Sequence, residues 1–276
     1  MPSKSRPITR IAPSRGLFDM RLSELWAYRE LLYFFVWRNL KVRYRQTLFG
    51  VAWAILQPFL MMVVFSLVLG HFAHLPSDGL PYPVFVYAGL VPWTLFSRAL
   101  VGASESLTQS GQLITKVYFP RLMLPLADAA SYLVDFTVAL AFLAGMMLLY
   151  RLHLTIAFLL VPLFGLAALV TALAVGVWLS AINVKYRDVP LVVPFIVQFW
   201  LFATPVAYPI SLFPANIRFA LGFNPVAGIV EGFRWALLGT PGPGAVLPIS
   251  LGVSLAVFFA GVLYFRRAER LFADWI

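Results

Sequence analysis

Residues 40–60 read LKVRYRQTLFGVAWAILQPFL. Lys41, Arg43 and Arg45 fall within the first six positions, and from Gln46 onward the stretch carries no charge. A soluble helix alternates polar and apolar residues around its axis; this segment separates them along its axis. The simplest cause is a change of solvent along the chain, from water and lipid headgroups to hydrocarbon.

Composition carries that reading to the whole protein. Of 276 residues, 61% are hydrophobic and 12% charged, against about 25% charged in an ordinary soluble domain. This is the composition of a polytopic membrane protein. With no cysteine, disulfides and thiolate metal sites are excluded. The net charge of +10 would suit nucleic acid, but its distribution points elsewhere. The first 30 residues lack an apolar run followed by a small-residue cleavage site, so the first span is expected to act as its own insertion signal.

A spanning helix needs about 20 apolar residues. Six segments are candidates: 51–70, 84–99, 122–150, 155–182, 191–210 and 245–265. The second is short and contains Arg98, the third contains Asp128 and Asp135, and the fifth contains Pro194, Pro205 and Pro209. An even number of spans puts both termini on one side. That side collects 18 of the 21 Lys and Arg residues, and basic loops stay cytoplasmic. The expected fold is therefore an all-α membrane protein of six transmembrane helices with both termini inside.

Four regions follow: a flexible tail over 1–21, an amphipathic interface helix over 22–45, a six-span domain over 46–265 and a cytoplasmic C-terminal tail over 266–276. In the second, Leu22, Leu25, Trp26, Tyr33, Val36, Trp37, Leu40 and Tyr44 recur at helical spacing, and the apolar run is too short to span. Such a helix lies in the headgroup layer with its cations reaching water. The cations Arg38, Lys41, Arg43 and Arg45 are candidates for holding lipid headgroups. Residues 223–238 are too polar for a further span and too apolar for an open loop, so short re-entrant helices are expected before the last span.

Chemical motifs are few. No G-x-x-x-x-G-K-[ST] and no G-x-S-x-G occurs, which excludes a P-loop in this chain. His71 and His74 form an H-x-x-H pair read as interfacial histidines, with no metal assigned. The eleven acids are scattered, a weak basis for an enzyme acting on lipid-linked sugars. Asp128 and Asp135, seven residues apart, share a helix face. They suit a proton relay or interhelical hydrogen bonding; the second is favoured, because no Lys, Arg or His is placed at matching depth. Phe195, Phe199 and Phe202 form an i, i+4, i+7 stripe, suited to sugar stacking or to helix packing. Residues 112–121 (QLITKVYFPR) and 183–190 (NVKYRDVP) mix cations with tyrosine and read as positive loops or as a docking surface for a cytoplasmic partner.

KVRYRQTLFGVAWAILQPFLMMVVFSLVLG (41–70) resembles the first block of the permease subunit of type-2 ABC exporters for polysaccharides, the O-antigen, capsule and teichoic acid group. LITKVYFPRLMLPLA (113–127), NVKYRDVP (183–190) and FNPVAGIVEGFRWALLG (223–239) resemble further blocks in the expected order, covering nearly all of the chain after residue 30. The resemblance implies a homodimer joined to two copies of a separate ABC ATPase, with ATP and Mg on that subunit and no cofactor in this chain. It implies that Lys116, Val117, Tyr118, Phe119, Pro120 and Arg121 couple to the ATPase, flanked by Lys185, Tyr186, Arg187 and Asp188. It also implies a lipid-linked polysaccharide as substrate, moved through a channel between the two permeases; Phe195, Phe199 and Phe202 are expected to line that channel and let the glycan slide. Two rivals stand beside it: an ion-coupled secondary transporter, and an ABC exporter of a drug or small lipid.

Overall fold

The computed structural model describes residues 22–45, 50–153, 155–186 and 188–269. The expected tail 1–21, the 46–49 start of the membrane domain, Arg187 and the 270–276 end of the C-terminal tail lie outside the described residues. Within the described residues every regular element is helical.

Among the described residues, α1 (Leu22–Ala27) and α2 (Arg29–Tyr44) precede the first span. α2 ends at Arg45, whose backbone turns extended, and the next described residue, Gly50, has φ +49°. That left-handed conformation suits glycine, and it lies where the chain leaves α2 for the first span. The span runs from Gly50 to Phe72. It comprises a 3-10 turn, α3 (Trp53–Phe65) and a π-helical stretch, Ser66–Phe72.

The second span is longer than its expected 84–99. α4 (Tyr82–Gln109) has 28 residues, about 42 Å at 1.5 Å per residue. Pro81 precedes it and Pro83 lies in its first turn, where the missing N–H costs nothing. α4 is the hub: 78% of its most apolar window is buried, against 22% for the first span. It packs on α3, on α6 (Met123–Leu149), on α7 (Val161–Lys185) and on α10 (Ala227–Leu238). Small residues allow this. A Cβ on Gly176 of α7 would meet the Ala103 Cβ of α4 at 2.8 Å, so the two backbones touch as closely as glycine permits. α11 (Val246–Glu269) closes on the other side of α7.

Among the described residues, five helices are thus long and apolar enough to cross a membrane. The expected span 191–210 is not a single sixth. α8 (Val189–Ala203) has 15 residues, about 22 Å, less than the roughly 30 Å hydrocarbon core. Its end is local chemistry. Pro205 disfavours the helical region for the residue before it, and Thr204 is extended at ψ 138°. Two short helices follow, α9 (Ala215–Leu221) and α10, before the last span. α10, at 12 residues, is too short to cross but buried from Ala227 through Arg234. It stops at Gly239, left-handed at φ 70°, whose N–H returns to Trp235 O at 3.1 Å, a glycine helix stop.

Candidate functional site

One end of the bundle gathers both of the tyrosine-bearing cationic segments. After α4 the chain turns at Ser110 into α5 (Gly111–Lys116), then runs extended from Val117. Lys116, Val117 and Tyr118 are exposed, the last two 53% and 56%. Phe119 is buried edge-on against Phe35 of α2, ring centroids 5.4 Å apart. Arg121 is partly buried and donates to Glu269 O at 2.7 Å, tying this segment to the end of α11. The six residues 116–121 therefore divide: three point outward, while Phe119 and Arg121 anchor the segment. Pro120 is partly buried between them. The second segment lies at the same end. The Asn183 amide donates to Ser104 O at 3.0 Å and to Thr108 Oγ1 at 3.2 Å, joining the last turns of α7 and α4. Beyond it Lys185, Tyr186 and Asp188 are exposed, and the Lys185 ammonium lies 5.0 Å from the Tyr186 ring centre.

A polar ladder joins α2 to α6. Asn39 donates to Asp128 Oδ1 at 3.2 Å, Arg43 to Ser131 Oγ at 2.7 Å, and the Tyr44 hydroxyl to Asp135 Oδ1. Asp135 also accepts from Arg98 of α4 at 3.0 Å and pairs with Arg43 at 3.7 Å. Arg98 reaches on to Gln57 of α3. The Arg43 guanidinium stacks over Tyr132, 3.7 Å from its ring centre. Four helices meet on one carboxylate and its partners. This corrects the expectation that no cation sits at the depth of the two aspartates: Arg98 and Arg43 both do. The signal was present in Arg98 itself, because an arginine in an apolar span is expensive without a partner. Of the four cations expected at headgroups, Lys41 and Arg45 are exposed, Arg38 is half-buried and Arg43 is committed to the ladder.

Phe195, Phe199 and Phe202 lie on one uncovered face of α8, 62%, 60% and 62% exposed. The Phe195 and Phe199 rings are 4.6 Å apart, and Phe202 meets Phe65 of α3 at 6.4 Å.

Sequence reasoning missed a second ionic site, beyond the end of α8. Arg234 of α10 is fully buried. It pairs with Glu231 at 3.2 Å, donates to Phe85 O at 3.3 Å and to Val206 O, and lies over the Phe85 ring at 3.9 Å. Glu231 accepts the Ile210 N–H at 3.2 Å, and Tyr82 donates to Ala207 O at 2.7 Å. These bonds clamp the non-helical stretch after α8 onto α4. The i, i+3 spacing of Glu231 and Arg234 in an apolar stretch was the available signal. Among the described residues, no three His, Cys, Asp or Glu side chains converge as a metal set would.

The family profile described as ABC-2 type transporter matches residues 30–238, which run from the second residue of α2 to the end of α10. The chain belongs to the ABC-2 type transporter family. It is a multi-pass membrane permease of that family, and its expected partner is an ABC ATPase. The permease is 32% identical over 257 residues to the O-antigen export system permease protein RfbA of Myxococcus xanthus, covering 92% of this chain and 98% of that protein. It is 23% identical over 238 residues to the RfbA permease of Klebsiella pneumoniae, covering 86% and 91% of the two chains. It is also 22% identical over 236 residues to the polysialic acid transport protein KpsM of Escherichia coli, covering 84% and 91%.

Proposed function

We propose that this permease is the transmembrane subunit of an ATP-driven exporter that moves a lipid-linked polysaccharide out of the cytoplasm, through a channel between two copies of itself. It resides in the bacterial inner membrane with both termini cytoplasmic: Lys and Arg concentrate on that side, and since the end of α11 bonds Arg121 beside the α4–α5 corner, the stretch from α8 to α10 takes the chain across in place of a single sixth helix. The relatives supply the substrate class, since those named act in O-antigen export and polysialic acid transport.

The observation that carries the reading is the uncovered phenylalanine face of α8. Apart from the edge of Phe202 that meets Phe65, the exposed faces of these rings have only lipid or a second subunit to meet. Rings stack on the apolar faces of sugars while leaving hydroxyls hydrated. Contacts that are weak and repeated let a long glycan advance without a tight site. Against an ion relay stands the pairing of Asp135 with Arg98 and Arg43, which holds that carboxylate in an ion network.

ATP and Mg belong to the ATPase, which docks on Lys116, Val117 and Tyr118, with Lys185, Tyr186 and Asp188 beside them. Phe119 and Arg121 transmit its motion into α2 and α11. The exposed cations Lys41 and Arg45 hold lipid phosphate near the entrance. Replacing Val117 with Asp and Tyr118 with Ala, both exposed, tests the docking. The variant is expected to stay monodisperse and to lose at least about tenfold in ATPase co-purification, the effect of about 1.4 kcal/mol. Wild-type recovery of the ATPase, with normal export, would remove the docking role.

A further inference from the structure

The first span does not end as an α-helix. From Ser66 to Phe72 it is π-helical, an i→i+5 pattern found mostly as single turns and often at functional sites. One such bond runs from Ala73 N to Val68 O at 3.0 Å. Local chemistry does not favour this winding. Ser97, Ser104 and Ser106 of α4 each donate to the carbonyl three residues back, whereas Ser66 Oγ is buried and has no partner among the described residues. Just beyond the stretch, His74 is left-handed at φ 51°, a conformation that is costly for a residue with a Cβ.

A tertiary contact accounts for the winding. Gly70 lies against Tyr82, the first residue of α4, and a Cβ on Gly70 would meet Tyr82 Cδ1 at 2.7 Å. An i→i+5 turn holds one residue more than an i→i+4 turn. Rewinding the stretch as α-helix therefore brings Leu69 to the place of Gly70, and a leucine enters that place only by displacing the Tyr82 ring. Tyr82 in turn donates to Ala207 O at 2.7 Å, next to the Val206 carbonyl that Arg234 holds. The winding of the first span and the hold on the stretch after α8 are thus mutually dependent.

We propose that Ser66–Phe72 is a register switch. In the π winding Gly70 seats Tyr82 on Ala207 and pins the outer end of α8. In the α winding Leu69 displaces Tyr82, the bond to Ala207 breaks, and α8 moves with its phenylalanine face. α8 is suited to this, since only Val189, Val193 and Leu201 of its 15 residues are buried. The inference rests on the proposed function for what passes α8. The exposure of Ala207 reads the switch whatever the permease carries, so predicted labelling without glycan export would sink that function and leave the switch standing.

The test uses the full-length permease in proteoliposomes. The chain has no cysteine, so Ala207→Cys supplies a single reporter at a position 6% exposed, and its labelling rate with a membrane-impermeant maleimide is measured. Gly70→Ala puts a Cβ against the Tyr82 ring and excludes the π winding. It is expected to raise labelling at least about tenfold, a shift of about 1.4 kcal/mol between the two windings. Deleting Val68, which is 51% exposed, removes the extra residue, so an α-helical winding keeps Gly70 on Tyr82. This variant is expected to label more slowly than the reporter alone and to lose export, an outcome that mere loosening of the region does not produce. Unchanged labelling in Gly70→Ala would overturn the switch, as would fast labelling or normal export in the Val68 deletion. Should the deletion fail to fold, Tyr82→Phe decides, because it keeps the ring and loses the bond to Ala207: labelling at the reporter's own rate overturns the proposal.

Discussion

Replacing Arg234 with Met removes the buried charge while keeping an unbranched apolar stem. The structure sets the size of the effect. Arg234 is fully buried, and its loss leaves the Glu231 carboxylate without its cation and the Phe85 and Val206 carbonyls without their donors. Breaking a buried pair from one side costs about 3–5 kcal/mol. An orphaned acceptor costs about 1–3 kcal/mol by itself, but these losses share one side chain and do not add. The expectation for Arg234→Met is therefore about 3–5 kcal/mol of lost stability. The double variant Glu231→Gln/Arg234→Met separates charge from hydrogen bonding. Gln keeps an oxygen for the Ile210 N–H and carries no charge, so the double variant should recover about 2 kcal/mol relative to the single one. The assay is reversible unfolding in mixed micelles, followed by tryptophan fluorescence, for wild type, both singles and the double. A single variant within about 1 kcal/mol of wild type would refute the reasoning, since a median surface pair accounts for that much. A double variant as unstable as Arg234→Met would show that the stranded charge is not the source of the loss.

Other outcomes test other parts of the fold. Ala at Phe195, Phe199 and Phe202 together removes three exposed rings and, with only the Phe202 edge contact to Phe65 lost within the chain, should change stability by no more than about 1 kcal/mol while slowing export or raising membrane conductance; large destabilisation with normal transport would assign the stripe to packing. Gly176→Leu drives a side chain into Ala103 of α4, where even a Cβ comes within 2.8 Å. It should cost about 1–3 kcal/mol as overpacking, checked in the same micelle assay; a variant as stable as wild type would show that α4 and α7 separate freely.

Much of the membrane plan was legible because it depends on local sums. The apolar runs at 51–70, 122–150, 155–182 and 245–265 each fall within a described helix or its 3-10 and π extensions over most of their length. The second span was underestimated because Arg98 reads as an end signal; the helix continues past it to Gln109, since the Arg98 charge is met by Asp135 on α6. The expected fifth span was overestimated because hydropathy counts residues and not backbone conformation, and Pro205 ends α8 within an apolar run. The candidate docking residues were legible as a mixed cationic and tyrosine segment. Which of them face outward was not, because Phe119 and Val117 look equally apolar in one dimension.

Sequence by itself determined that the chain crosses a membrane and which of its ends carries the cations, because transfer from water to hydrocarbon is a residue-by-residue cost summed along a helix. Tertiary structure alone decided the partners. Arg98 meets Asp135 across 37 residues, and Arg234 meets the Phe85 carbonyl across 149. Such pairings depend on how each helix is rotated about its axis and how closely its neighbour approaches, and no local pattern encodes either. The same holds for Asp128, whose Oδ2 lies against Gly102 of α4 while Arg43 turns to Asp135, two helical turns further on.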